Sequence, residues 1–203
     1  VTITATNSAG AETGTSNSFT VNPGALDHFL VETSGGGAPI PQQTAGTSFD
    51  IRITARDVNG NTVTSFSGGN NKVTITSTGT LTQGGGLSAA FSSGVLDPKA
   101  VTISNTGSFT ITATGSSKTG TSAAFTVVAG AATAGTSTAT VPAGTAGQVT
   151  TITVQAKDAL GNNRTTTSGT VVVSVTGANT ATPTVTDNTD GTYTATYTPT
   201  VPG

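Results

Sequence analysis

Phe49-Asp50-Ile51-Arg52-Ile53-Thr54-Ala55-Arg56 alternates apolar and polar residues over eight positions. In an extended chain every second side chain falls on the same face, so Phe49, Ile51, Ile53 and Ala55 belong to one surface and the polar set to the other. The same alternation recurs in Val73-Thr74-Ile75, Val101-Thr102-Ile103, Phe109 to Ala113, Ile152 to Lys157 and Tyr193 to Tyr197. The polar partner is usually Thr, whose β-branch favours extended backbone while its hydroxyl stays in water. Asn-Gly, Gly-Asn, Asp-Gly and Gly-Gly steps punctuate the runs as turns. No segment carries a 3.6-residue period, so the chain is predicted to be all-β.

The composition narrows the chemistry. The chain has 203 residues, 48 of them Thr and 27 Gly, and only 8% are charged, against about 25% in an average globular protein. Without the strand periodicity, such polar tracts would suggest disorder. There is no Cys, Met or Trp, and His28 is the only histidine. Disulfide frameworks, thiol nucleophiles and Cys-ligated metals are therefore excluded, as is any Ser-His-Asp set that does not use His28. A formal charge of −2 leaves no basic stripe for nucleic acid. No apolar run approaches the roughly 18 residues of a membrane span, so no membrane insertion is expected in this segment. The opening VTITATNSAG does not read as a signal peptide. Together these features point away from an intracellular enzyme.

Internal repeats set the organisation. Glu12 to Ala25 (ETGTSNSFTVNPGA) matches Lys118 to Ala131 (KTGTSAAFTVVAGA), and Thr-Ile-Thr-Ala-Thr precedes each, at Thr2–Thr6 and Thr110–Thr114. Ala45-Gly46 through Asn61 matches Ala146-Gly147 through Asn162, 101 positions later. The repeat is thus about 100 residues, the length of a seven-stranded β-sandwich. Residues 1–22 are expected to be the closing two-strand hairpin of a preceding unit, 23–128 a complete unit, and 129–203 a unit lacking its last two strands. Gly161 and Gly191 lie 30 positions apart against 47 for Gly60 and Gly107, which predicts a third unit about 17 residues shorter in this stretch.

Asp27-His28-Phe29, Ala45 to Phe49, Ala55-Arg56-Asp57-Val58-Asn59-Gly60-Asn61, Phe91 to Val95 and Gly107 to Ile111 make residues 23–128 resemble a bacterial Ig-like domain of the Big-1 type, found in tandem in invasin/intimin-like surface proteins. Residues 129–203 resemble a filamin-type Ig repeat, through Asp187-Asn-Thr-Asp-Gly-Thr-Tyr-Thr-Ala-Thr-Tyr-Thr-Pro199. In that family such a strand is followed by Pro-Gly and then by two closing strands. The resemblances imply tandem immunoglobulin-like β-sandwiches and say less about function, because this fold hosts many roles.

Read from Thr200-Val-Pro-Gly203 into Val1-Thr-Ile-Thr-Ala-Thr6, the text continues as the third unit would require. One expectation is therefore a period cut from a longer alternating array, with neighbouring units of the same or identical chains joined head to tail by strand complementation. The other is an ordinary slice of a stalk.

Candidate sites are few. Asp57, Asn59 and Asn61 place oxygen-bearing side chains at alternate positions, as a calcium loop does, and Asp158 repeats the first of them. The competing reading is a tight turn with Gly60 at positive φ and Asp57 bonded to nearby backbone. No Glu follows at the twelfth position of either loop. No catalytic residue, cofactor site or firm metal site is assigned. Asp187 and Asp190 read as an acidic turn, and His28 beside Asp27 as an outward strand residue. A Lys–Asn isopeptide crosslink would need a buried lysine, whereas Lys157 alternates outward and Lys72, Lys99 and Lys118 flank turns. Gly35–Gly37 and Gly84–Gly86 lack the Lys and helix of a phosphate loop. Asn163-Arg164-Thr165 is the only glycosylation sequon.

The favoured function is a non-catalytic stalk, spacer or filament shaft of a secreted or surface-displayed prokaryotic protein, adhesin-like in kind and extracellular or at the cell surface. Linkers at Asn22–Ala25 and Ala129–Ala131 join the units, and Pro23 predicts that the first is stiffer than the second. The alternatives are a carbohydrate-binding accessory module of an extracellular enzyme, which would expose aromatic rings, and a virion fibre Ig-like domain. Tyr193 and Tyr197 share a face with Ala195 that reads as core.

Overall fold

The computed structural model describes residues 1–202 and contains strands without helices. The chain begins with a hairpin, β1 (Thr4–Thr6) and β2 (Thr13–Thr15), paired antiparallel with Ala5 opposite Gly14.

Residues 23–128 follow as β3 (His28–Thr33), β4 (Gln43–Thr44), β5 (Phe49–Arg56), β6 (Thr74–Ser77), β7 (Leu81–Gln83), β8 (Gly86–Leu87), β9 (Val95–Ile103), β10 (Gly107–Phe109), β11 (Ile111–Gly115), β12 (Lys118–Thr121) and β13 (Phe125–Val128). One layer runs β3-β5-β9-β7. The other runs β12-β11-β6-β8 and continues through β10-β13-β4, where β13 pairs with β4 in parallel. The two layers bury the inward residues of the alternating runs. Ile51, Ile53, Ala55, Val73, Val101, Ile111 and Ala113 have no exposed surface. Phe29, Phe66 and Phe91 form a three-ring cluster with centroids 5.0–5.9 Å apart, in which Phe66 meets both other rings in the edge-on geometry that ring quadrupoles favour and Phe29 and Phe91 are tilted at 50°. Phe49 and Phe125 pair edge to face across the layers at 5.7 Å.

Residues 129–202 contain β14 (Thr138–Thr140), β15 (Thr150–Gln155), β16 (Val185–Asp187) and β17 (Thr192–Tyr197). Their order, β14-β15-β17-β16, repeats β3-β5-β9-β7. The equivalence fixes the register. Ala55 N donates to Gly94 O at 2.8 Å and Ala156 N to Gly191 O at 2.9 Å, while Val63 N bonds Ala55 O and Arg164 N bonds Ala156 O, both at 2.9 Å. Gly191 is therefore the counterpart of Gly94, not of Gly107. The expected 17-residue shortening is corrected accordingly: Gly60 to Gly94 is 34 positions against 30 from Gly161 to Gly191, so four residues are lost. Gly107-Ser-Phe-Thr-Ile-Thr-Ala alternates as Gly191-Thr-Tyr-Thr-Ala-Thr-Tyr does, whereas Val95-Leu96-Asp97-Pro98 after Gly94 does not, which is why sequence alone misplaced the match.

Opposite this sheet, Thr170–Thr176 alternates half-buried Val171, Val173 and Val175 with exposed Val172 and Ser174 but joins no strand ladder, apart from a bridge between Val175 and Ala181. It occupies the place of β6. Among the described residues, four apolar side chains are buried here (Ile152, Ala156, Tyr193 and Ala195) against twenty in residues 23–128. Among the described residues, 129–202 therefore hold one four-stranded layer faced by Thr170–Thr176.

Candidate functional site: the joints between units

The two Asp-x-x-Gly-Asn loops close in the same way. Asp57 Oδ1 accepts from Asn59 N (3.0 Å) and Asn61 N (2.8 Å), and Oδ2 accepts from Asn61 Nδ2 (3.0 Å) and Gly24 N (2.8 Å). Asp158 Oδ1 accepts from Leu160 N and Asn162 N, both at 2.9 Å. Its Oδ2 accepts from Asn162 Nδ2 (2.9 Å) and Gly130 N (3.1 Å). Gly60 and Gly161 turn the loops at φ of 81° and 83°, where a side chain would be strained. Three of the four donors lie in the loop itself. The fourth, Gly24 or Gly130, lies in the linker that leads into the unit, so each buried carboxylate ties its linker to the loop that follows β5 or β15 in the following unit.

The donors set the electrostatics. The Asn61 side-chain amide, then the Gly24 N–H, hold the Asp57 carboxyl down to about 2 against the desolvation that opposes them. At Asp158 burial is the largest single influence and pushes upward, but the Asn162 amide and the three backbone N–H groups together outweigh it and the net direction is down. Asp190 is likewise lowered by the Thr192 hydroxyl and backbone N–H.

The sequence singled out Asp57, Asn59, Asn61 and Asp158 as an oxygen array. The fold brings Asp57 and Asn61 together with the amide nitrogen of Asn61, not its oxygen, aimed at the carboxylate. Asn59 contributes its backbone N–H and leaves its side chain exposed. Among the described residues no three His, Cys, Asp or Glu side chains gather as a metal set. His28 Nδ1 lies 3.0 Å from Asp27 Oδ2, and Lys118 Nζ lies 3.9 Å from Asp27 Oδ1, all near the surface. Lys72, Lys99, Lys118 and Lys157 are half-buried. The hydroxyl of buried Tyr193 accepts from Ser168 N (2.7 Å) and donates to Gly169 O (3.0 Å). Among the described residues the exposed aromatic ring is Phe19, 41% accessible.

The joint between residues 23–128 and 129–202 has contacts that the sequence did not reveal. Asn162 Nδ2 also donates to Ser104 O, 2.9 Å away at the end of the preceding sheet. Leu160 sits over Gly46, close enough that a Cβ there would lie 2.8 Å from Leu160 Cδ1. Arg164 Nη1 donates to the linker carbonyls of Ala129 and Gly130, and Nη2 to Thr166 Oγ1. In the first loop Arg56 instead turns back to Gly60 O (2.8 Å) and Thr62 Oγ1 (3.1 Å). The second linker, expected to bend more because it lacks proline, is held by a carboxylate and a guanidinium. The available signal was Leu160, an apolar residue in an exposed turn where the first copy has Asn59.

No curated protein matches the sequence. Three solved structures show similar architecture: the Escherichia coli adhesin FdeC (22% identity, TM-score 0.49, 93% of this chain and 60% of that one); invasin, a bacterial integrin-binding protein (24%, 0.40, 86% and 34%); and surface layer protein SbsC, domains 1–6 (21%, 0.32, 90% and 22%). The chain thus spans between about a fifth and three fifths of those chains. The C-terminal part is matched more specifically: residues 127–203 are similar to the family model of the filamin/ABP280 repeat.

Proposed function

We propose that the chain is a non-catalytic shaft segment of a secreted or surface-displayed prokaryotic protein, adhesin-like in kind, whose partners are neighbouring Ig-like units of the same or identical chains. The observation that carries this reading is the joint. Both linkers are tied at a backbone N–H by a buried aspartate, and the second is additionally gripped by Arg164, Asn162 and Leu160. Such a joint fixes the angle between consecutive sandwiches, which is what a spacer needs if each unit contacts only its neighbours. Asp57 and Asp158 act on this reading as linker clamps, not as calcium ligands, since N–H donors occupy both oxygens of each. The Thr-rich outer faces keep the shaft wet with few charges.

Antibodies raised against the chain should label intact, unpermeabilised cells of the producing organism, or its culture medium. Labelling confined to permeabilised cells would overturn the surface assignment.

A further inference from the structure

The hairpin of residues 1–22 is a replica of the one that closes the second unit. Ala5 opposes Gly14 as Ala113 opposes Gly120. The Thr4 and Thr15 hydroxyls meet at 3.2 Å, as those of Thr112 and Thr121 do at 3.0 Å. Ser16 Oγ accepts from Ile3 N, as Ser122 Oγ does from Ile111 N, both at 3.0 Å. What differs is the surroundings. Phe109, Ile111, Ala113, Phe125 and Val127 are at most 9% exposed, whereas Val1, Ile3, Phe19 and Val21 are 41–68% exposed and Ala5 is exposed as well. Gly120 is pressed onto the Phe29 backbone, whereas the matching Gly14 has nothing within 4 Å of where a Cβ would stand.

The third unit offers the complementary surface. A cleft of about 940 Å³ lies between β15 and Thr170–Thr176, lined by Ile152, Val154, Val173 and Tyr197. Thr150, also on its wall, is buried with a hydroxyl that has no partner. In the second unit the equivalent space is filled by the closing hairpin.

We propose that the hairpin of one copy of this chain closes the open face of the third unit in a second copy, by strand complementation. β1 pairs antiparallel with Val171–Val175, as β11 pairs with β6, and turns Ile3 and Ala5 into the cleft. Phe19 and Val21 follow the path of Phe125 and Val127, with Val21 running parallel beside Gly144, the counterpart of Gln43. Gly14 lies against the start of β14, as Gly120 lies against β3. Within these 203 residues the hairpin cannot reach the third unit of its own copy, so in a solution of this chain the occupant is a second copy. The linker Asn22–Ala25 reaches at most ~14 Å, and the second unit in between is at least the ~30 Å length of nine-residue β9. The contact is head to tail and does not close on itself, so it propagates into rods. This inference deepens the shaft reading by naming the bond between copies. Its failure would leave that reading standing, because units within one chain stay covalently joined.

The test is sedimentation velocity on the 203-residue chain from about 1 to 100 μM. A ladder of species that lengthens with concentration is expected, and a synthetic peptide of residues Val1–Asn22 in excess should shorten it to monomers. Gly14→Val fills open space in the single chain but meets backbone in the complex. It should leave the melting curve of the dilute chain unchanged and weaken assembly at least tenfold. A chain that stays monomeric throughout, or assembly indifferent to both Gly14→Val and the peptide, would overturn the proposal.

Discussion

Gly120→Val isolates the packing of the closing hairpin in the one unit that has both layers. A Cβ at Gly120 would overlap the carbonyl of Phe29 and lie 2.8 Å from the Phe29 Cβ, well inside an ordinary carbon contact of roughly 3.5–4.0 Å. The obstacle is backbone, held by pairing of Phe29 with Ala55, and the Phe29 ring is locked against Phe66 and Phe91. The strain can be relieved only by lifting β12 from β3. Overpacked cores typically lose about 1–3 kcal/mol, and an obstacle that cannot change rotamer places this variant at the upper end, about 3 kcal/mol. For a unit of this size that is a fall of roughly 10–20 °C in Tm. Gly14→Val makes the same change at the same position of the replica hairpin, in open space and in a strand, and should alter stability by less than ~0.5 kcal/mol. Thermal unfolding of dilute samples followed by far-UV circular dichroism measures both. Tyr193 and Tyr197 are the only tyrosines, so tyrosine fluorescence reports the third unit separately and should move little in Gly120→Val. Equal effects of the two substitutions, or a Gly120→Val chain as stable as the parent, would refute the equivalence of the hairpins.

Other perturbations have equally definite outcomes. Because Asp57, Asp158 and Asp190 are held below the ordinary carboxylate value of about 3.9, the stability they add is complete above about pH 5. It is lost as pH falls through their folded values, so Tm should be flat from pH 8 to 5 and drop between about pH 4 and 2; a drop above pH 5 would point to other groups. With 8% charged residues, raising salt from 0.05 to 1 M screens little and should move Tm by no more than about 2 °C, and calcium or chelator should have no larger effect; a calcium-dependent rise would restore Asp57 and Asp158 as ligands. Tyr193→Phe removes a hydroxyl that serves Ser168 N and Gly169 O and should cost about 1–3 kcal/mol, read as a lower fluorescence-detected melt of the third unit.

Period-two alternation made the strands legible because each inward residue is matched by an outward Thr or charge. Phe49–Arg56 and Thr192–Tyr197 form ladders over nearly the stretches expected. The turn chemistry of Asp57 and Gly60 was readable for the same reason, being local. Two things were not. The register of the third unit was misjudged because the run after Gly191 alternates like the run after Gly107 and unlike Val95-Leu96-Asp97-Pro98 after Gly94, and only the bonds from Ala55 and Ala156 identify Gly94 as its counterpart. The joint escaped notice because its partners, Asn162 with Ser104 and Leu160 with Gly46, are 58 and 114 positions apart, and no local periodicity encodes such pairings. Arg56 and Arg164 show the same limit: one residue type in one loop position, turned inward to its own loop in one copy and onto the linker in the other.

A fixed angle between units is the central claim, and a distance distribution across the joint tests it most directly. The chain has no native cysteine, so Thr76→Cys on β6 and Thr151→Cys on β15, both exposed, place a single pair of spin labels for double electron–electron resonance. The account predicts one narrow distance, unchanged by calcium or chelator and broadened when Arg164→Ala and Leu160→Ala are combined. A broad distribution in the parent chain would contradict it.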